Sequence, residues 1–433
     1  MSSAVLLSGV AVADRVGGAT LDHPGQRRWL LAFLASLGLL GLYVVSIAWA
    51  LIEGVGIWGN NIPVAWALDI VNYDYWIGIA TGSLLVSAAT LLCGNGLRSG
   101  VNRLAETVAV LAAFAAGVYP ILHLGRPWFF FWNLPYPDTL GLWPQFRSPL
   151  VWDEMDILGY LAVSITFWYV GLIPDLAAMR DRARTRLSAK IYGVAALGWR
   201  GSAVHWRRWR QTYRSLAVLA VIMVVCLQTG ASVMYAGSVE PGWHDTILPA
   251  EYVATAALSG IAATLLCVVL VRSVLALEDV VTLRHLDLLG KLLLAAAIAS
   301  IYCYGFDLFG TVLKHDKFDL AVQARRLGGS LAWSYWLVVA AAFLPPQLLW
   351  WGRLRRSPVV MLLVAVLALV GMWSDRFMVL VSTQVQDFLP SSYHGYSATF
   401  WGIATFAGSA GLFATLLLLA VRYLPMATMR PNA

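Results

Sequence analysis

A histidine and an aspartate stand near the two ends of an aromatic, proline-rich stretch, residues 119–153, and both could take up protons. His123 lies near its start, and Asp153 is its last residue. A neutral imidazole accepts one proton, and a carboxylate accepts another or holds the imidazole in position. Oxidation of a quinol releases two protons from its phenolic oxygens as the electrons leave. The two residues therefore have the side chains that quinol oxidation needs, provided that the fold brings them together.

The chain that carries this stretch is too apolar for a soluble domain. Its 433 residues are 60% hydrophobic and 12% charged, with a mean hydropathy of +0.71, whereas soluble domains carry about 25% charged residues. Apolar runs of about 20 residues can cross a bilayer, and lipid offers no hydrogen bonds to a bare backbone, so such runs must be helices. Ten runs are present, at 29–52, 72–93, 104–124, 153–174, 215–236, 250–271, 287–311, 331–351, 359–381 and 399–423. We predict an all-α integral membrane protein of about ten transmembrane helices.

The basic residues predict the orientation of these helices. With the N-terminus inside, the inner segments contain 23 of the 30 Lys and Arg residues, and the outer loops contain 7. Because Lys and Arg accumulate in cytoplasmic loops, both termini are predicted to be cytoplasmic in a bacterial inner membrane, with residues 1–28 as a tail. The inner loop at 175–214 is the most basic, and it can orient the chain, contact anionic lipid or dock a cytoplasmic partner. The net charge of +7 therefore reflects topology, and nucleic-acid binding is not expected.

This orientation gives the acid–base residues a depth. His123 ends the third helix at the outer side, Asp153 opens the fourth there, and Asp74 opens the second. We expect them to surround a quinol, with apolar walls for its tail. Two structural alternatives remain: His123 could bond a carbonyl at a helix end, and Asp153 could be a helix N-cap.

A second set of charged residues lies within the later helices. Charges inside a membrane are costly and are candidates for function by default. Lys291, Asp307 and Asp375 could form a proton route between the two faces. The alternative is that these charges are paired and hold the helices together. Lys291 lies four residues after Asp287, a spacing that allows the two to pair on one helix face.

Redox centres are not expected in the chain itself. The four cysteines form no CxxC pair, whereas an iron–sulfur cluster or a zinc site needs clustered thiolates. None of the seven histidines falls in mid-membrane, where a bis-histidine haem would need them. Electrons from a quinol would therefore leave through another subunit. The outer loops, rich in Trp, Pro, Gly and Tyr, are apolar enough to be buried against such a partner or lipid.

Several sequence blocks resemble the integral membrane subunits of the polysulfide reductase NrfD type. They include YPILHLGRPWFFFWNLPYP, LGLWPQFRSPLVWD, FWYVGLIPDLAAMRDRA, FLPPQLLWWGRLR and VGMWSDRFMVLV, the last followed by QDFLPSS. The likeness covers about residues 58–392 and is greatest to the two large membrane subunits of alternative complex III.

The resemblance implies two four-helix bundles, residues 72–236 and 250–381, flanked by helices at 29–52 and 399–423. It implies a menaquinol or ubiquinol site in the first bundle, formed by His123 and Asp153 with Arg126 and Asp74. Its implied partners are a periplasmic iron–sulfur subunit, a paralogous membrane subunit of the same type and multihaem cytochromes of the c type. It also implies proton translocation through charged residues, which here would be Lys291, Asp307, Asp375 and Arg376.

Three functions compete on this evidence. The first is a quinol-oxidising subunit of the alternative complex III type, which the ten helices and the WPQFRSPLVWD and DFLPSS blocks favour. The second is a quinone-linked membrane anchor of a molybdopterin-type oxidoreductase acting on polysulfide, sulfite or a similar substrate. The third is a secondary transporter, which predicts a midplane site in broken helices, whereas the polar residues here concentrate toward the outer face.

Overall fold

The computed structural model describes residues 9–22, 25–61, 64–94, 96–133, 149–385, 388–389 and 393–429. Every regular element in these ranges is helical. The middle of the aromatic stretch, residues 134–148, lies outside the described residues. So do the first eight residues of the predicted tail and most of the DFLPSS block.

Ten helices within these ranges are long and apolar enough to cross a membrane, which confirms the predicted all-α membrane fold. We number them in chain order: α1 (Gln26–Glu53), α2 (Ala67–Leu92), α3 (Asn102–His123), α4 (Val151–Arg182), α5 (Ala203–Ala236), α6 (Leu248–Val274), α7 (Leu283–Lys314), α8 (Ala332–Trp350), α9 (Pro358–Ser382) and α10 (Phe400–Tyr423). Shorter helices lie at Gly9–Leu21, Arg186–Ala195 and Lys317–Gly328.

The largest differences from the predicted boundaries occur at two places. The inner loop expected at 175–214 is largely helical, because α4 continues to Arg182, a short helix follows and α5 begins at Ala203. Arginine favours helix, and its charged end is solvated once the helix has left the lipid. The other difference is that α2 begins at Ala67 rather than at 72, which brings Asp69 into its first turn.

The backbones of α2 and α6 approach each other closely at two glycines. A Cβ atom added to Gly82 would lie 1.9 Å from the carbonyl oxygen of Ala256, and one added to Gly260 would lie 2.1 Å from the backbone of Gly82. Small residues let membrane helices approach in this way and pack their backbones together. α1 lies against α10 in the same manner, with Gly408 facing the backbone of Tyr43. We propose that the α2–α6 contact joins two bundles, α2–α5 and α6–α9, and that α1 and α10 flank them.

Two of the later helices contain a π-helical segment. In α8 it spans Val338–Phe343, and in α9 it spans Met378–Ser382. Such segments are rare and often occur at functional sites. The segment in α9 starts two residues after Arg376 and carries Leu380 into the cavity described next.

Candidate functional site

A cavity of about 410 Å³ opens among α2, α3, α4 and α5, at the end that the topology predicts to be outer. We call this end of the molecule the outer end, the opposite end the inner end, and the cavity the outer cavity. Apolar side chains form much of its wall: Ile70, Ile77, Leu227, Ala231, Met234 and Leu380. The polar groups on it include Tyr73, Asp74, His123, Asp153, Glu154 and Gln384. Its volume lies within the range of about 300–1,000 Å³ usual for small-molecule sites.

His123 lies beside the carboxylate of Asp69, a residue that was not predicted from the sequence. Its Nε2 atom is 2.8 Å from Oδ2 of Asp69, although the two groups are not aligned as a hydrogen bond. Trp66 stacks on the imidazole with ring centres 5.7 Å apart and donates its indole N–H to the backbone carbonyl of His123 at 3.3 Å. The buried negative charge of Asp69 can stabilise the positive charge that His123 gains on protonation. The ring is therefore held in position, and the helix-end carbonyl is not its partner.

Asp153 also lines the cavity. The hydroxyl group of Tyr73 donates to its carboxylate at 3.2 Å, and Tyr73 also meets the His123 ring edge-on at 5.8 Å. Helical backbone begins at Pro149, two residues before the membrane-spanning part of α4, so Asp153 lies one turn inside the helix and is not its N-cap. Tyr73 thus touches both predicted proton acceptors and connects them.

Asp74 links the cavity to the second half of the chain. Its Oδ2 atom lies 3.6 Å from Nε of Arg376, and Nη1 of Arg376 lies 3.4 Å from Oδ2 of Asp375. Arg376 also donates to Thr255 Oγ1 at 2.9 Å and lies 4.0 Å above the ring of Tyr252. All three charged side chains are almost completely buried. Arg376 is therefore a buried cation shared by two carboxylates, one on α2 and one on α9.

The other two proton-path candidates lie apart from each other. Asp307 accepts a hydrogen bond from Gln323 at 2.6 Å and lies 3.5 Å from Arg326, beside a small cavity of about 20 Å³ that Glu251 also lines. Lys291 is 58% exposed and pairs with Asp287 at 2.8 Å, as its spacing predicted. Sixteen residues of α7 separate it from Asp307, about 24 Å along the helix. Lys291 therefore does not join the buried charges near the outer cavity.

Arg126 does not line the outer cavity. Its side chain is exposed, because Gly125, with a φ of 67°, turns the chain out of α3 before a 3-10 segment begins at Pro127. The turn sends the following aromatic side chains to the surface. Trp128, Phe129 and Phe131 are 60%, 43% and 50% exposed, and Trp152 at the start of α4 is 54% exposed. We call these four residues the outer aromatic patch.

Sequence reasoning missed a buried charge cluster at the inner end of α3. Arg103 lies 2.6 Å from Asp175 and 3.0 Å from Glu106, and Tyr213 donates a hydrogen bond to Glu106. The spacing of Arg103 and Glu106, three residues apart, could have signalled part of it. The spacing of Asp69, which was also not predicted, could likewise have indicated a role, because it lies four residues before Tyr73 on the same face of α2.

Among the described residues, no group of three or more His, Cys, Asp and Glu side chains is arranged to hold a metal ion. The four cysteines are free thiols, with Cys93 and Cys226 exposed and Cys267 and Cys303 buried. What the residues of the outer cavity can do is accept protons and bind a molecule that is polar at one end and apolar elsewhere.

The ten helices and the outer cavity define a multi-pass integral membrane protein with a ligand-sized cavity, lined in part by histidine and carboxylate side chains, at one end of its helices. Residues 57–387 match the family model described as "Polysulphide reductase, NrfD", and the chain belongs to this family.

Two relatives are informative. One, from Halobacterium salinarum, is provisionally named as a membrane subunit of dimethyl sulfoxide reductase, and the chain is 24% identical to it over 95% of this chain and 97% of that protein. The other, from Mesobacillus selenatarsenatis, is named as a subunit of selenate reductase, and the chain is 25% identical to it over 40% of this chain and 37% of that protein.

Proposed function

We propose that the chain is the quinol-binding membrane subunit of an oxidoreductase and that the outer cavity is its quinol site. The observation that carries this proposal is that His123 and Asp153 line one apolar-walled cavity. His123 accepts one phenolic proton, and Asp69 stabilises the resulting imidazolium. Asp153 accepts the other proton, and Tyr73 orients its carboxylate. Asp74 contributes to the polar part of the cavity wall, and the apolar part accommodates the tail of a menaquinol or ubiquinol.

The electrons then pass to a partner at the outer end. The outer aromatic patch is adjacent in sequence to His123 on one side and to Asp153 on the other. Exposed aromatic clusters of this kind commonly form protein interfaces. We propose that an iron–sulfur subunit docks here, on the periplasmic side of a bacterial inner membrane, and that both termini of the chain are cytoplasmic.

The comparisons favour a reductase anchor over a subunit of the alternative complex III type. The two relatives are named as subunits of dimethyl sulfoxide and selenate reductases. The first aligns with nearly all of this chain, so a chain of this length does not single out alternative complex III. We therefore propose a molybdopterin-type reductase as the partner enzyme, which draws electrons from quinol through this subunit. The paralogous membrane subunit and multihaem cytochromes belong to the other assignment, which rests on the sequence blocks alone.

We also propose a proton path through the buried polar groups. Arg376 connects Asp74 in the cavity wall with Asp375, and Asp375 accepts a hydrogen bond from Tyr304. Tyr304 and Asp307 both line the small cavity beside Glu251. This series of polar groups gives protons a route between the quinol site and the second half of the chain.

Substitutions at the two proton acceptors test the site. In the purified native complex, His123→Ala and Asp153→Asn should each lower quinol-dependent electron transfer by roughly 10²-fold or more, while the complex still assembles. His244→Ala and Asp181→Asn are matched controls, because both residues are exposed and lie outside the cavity. Near-normal turnover in both cavity variants would refute the site.

The identity of the partner enzyme is tested by purification. The reductase assignment predicts bound molybdenum and quinol-dependent reduction of a substrate such as dimethyl sulfoxide or selenate. A complex with multihaem c-type absorption and without molybdenum would instead support the alternative complex III type.

A further inference from the structure

A second large recess lies at the inner end, far from the outer cavity. It is a groove of about 850 Å³ where the first turn of α1 meets the last turns of α6 and α10. None of the proposed quinol or proton-path residues lines it. Its charged residues and its apolar residues form separate parts of one recess.

The charged part of the groove is entirely basic. Arg27, Arg28 and Arg422 line it, and none of the described residues that line it is acidic. Within the described part of the chain, none of the three arginine side chains forms an ion pair or a hydrogen bond. The guanidinium of Arg422 lies 4.3 Å above the ring of Trp29, and that indole donates to the carbonyl oxygen of Leu418 at 3.0 Å. One cation is thus held in place by α1 and α10 together, with its hydrogen-bond donors unused.

The start of α1 adds to this positive field. Its N-cap residue, Gly25, provides no side-chain hydrogen bond to the first turn. The free amide groups and the helix dipole therefore favour an anion at the same place as the three arginines.

The rest of the groove is largely apolar. Leu270 and Val274 of α6 form one side, and Leu417 and Leu418 of α10 form another. Leu270 and Val274 are 45% and 60% exposed. Both lie on the membrane-spanning helix α6, so this apolar surface is open to an acyl chain. A small soluble anion would need the arginines but not these walls, whereas a lipid has both a charged headgroup and acyl chains.

We propose that this groove binds one anionic phospholipid, with its phosphate among Arg27, Arg28 and Arg422 and an acyl chain against α6 and α10. Basic pockets between transmembrane helices on the cytoplasmic side bind such headgroups. The bound lipid would fill the gap between α1 and α6, and so fix the flanking helix against the rest of the molecule. This lipid site is independent of the quinol site.

The chain offers a matched control for simple surface charge. Arg207, Arg210 and Arg214 also line a recess at the inner end, but all three lie on α5. The other described residues lining that recess, among them Trp206 and Gln211, belong to the same helix, so no second helix in the described part of the chain gives it an apolar wall. If positive charge alone retained the lipid, the two sets of arginines would behave alike.

The test is native mass spectrometry of the delipidated full-length chain titrated with phosphatidylglycerol. The variant R27Q/R28Q/R422Q should bind at least about tenfold more weakly than wild type, and R207Q/R210Q/R214Q should bind normally. Val274→Trp, which keeps every charge and fills the groove, should also lose the lipid. Phosphatidylcholine should bind weakly, and inorganic phosphate should not compete.

Four results would overturn the proposal. They are equal affinity of wild type and R27Q/R28Q/R422Q, an equal loss in the control variant, full binding by Val274→Trp, and displacement of the lipid by inorganic phosphate. The last result would assign the arginines to a soluble anion. Retention of normal quinol turnover in Val274→Trp would keep this test separate from the quinol site.

Discussion

Asp69→Asn is the substitution that examines the proposed chemistry most directly. Asp69 is buried, and its carboxylate lies 2.8 Å from Nε2 of His123. At that distance and an effective dielectric constant of ~20, the attraction between the carboxylate and an imidazolium is about 6 kcal/mol. Asparagine keeps an oxygen that can accept from the imidazolium, and a hydrogen bond to a charged group contributes about 1.5–3 kcal/mol. The net loss is therefore about 3–4.5 kcal/mol.

That loss corresponds to a fall in rate of about 10²–10³-fold. Because the imidazolium forms only when quinol gives up its proton, the substitution should lower kcat and leave the KM for quinol nearly unchanged. The assay is the loss of quinol absorbance when the purified native complex transfers electrons to its own acceptor. Asp69→Glu, which restores the charge, should recover part of the activity.

The matched control is Asp287→Asn. Asp287 is another mostly buried acidic residue with basic partners, Lys291 and Arg355, but it lies at the inner end of α7. Asp287→Asn should leave quinol turnover unchanged. The reasoning would be wrong if Asp69→Asn lowered kcat less than about threefold, or if the loss lay entirely in KM.

Three further substitutions examine the buried charges and the helix contact. Arg376→Gln leaves two buried carboxylates without their cation and should destabilise the fold by about 3–5 kcal/mol, seen as a lower Tm in detergent, whereas the exposed Lys291→Gln should not. Gly82→Val must push α2 and α6 apart and should also lower Tm, while Gly41→Val, which meets open space, should be tolerated better. Asp307→Asn should lower the proton-to-electron ratio in vesicles; an unchanged ratio would leave Asp307 with a structural role.

The number and course of the membrane helices could be predicted from the sequence alone. A helix that crosses lipid must be apolar for about 20 residues, and that requirement is met by each segment without reference to its neighbours. The positions of His123 and Asp153 near helix ends could be predicted from the same apolar runs. Their placement at one end of the molecule then followed from the alternation of the helices.

The neighbours of each side chain were decided only by the tertiary structure. A membrane helix can be apolar on every face, so its sequence does not mark which side will face another helix. α2 is buried along most of its length, and only its packing brings Asp69 to His123 and Asp74 to Arg376, 302 positions later. Arg126 was predicted as a site residue from the family resemblance and Lys291 from its charge within a helix, yet Arg126 is turned outward and Lys291 pairs at the surface. The sequence thus determined which residues could do chemistry and at what depth, because those properties are local, whereas the partners that give them a role depend on contacts between distant helices.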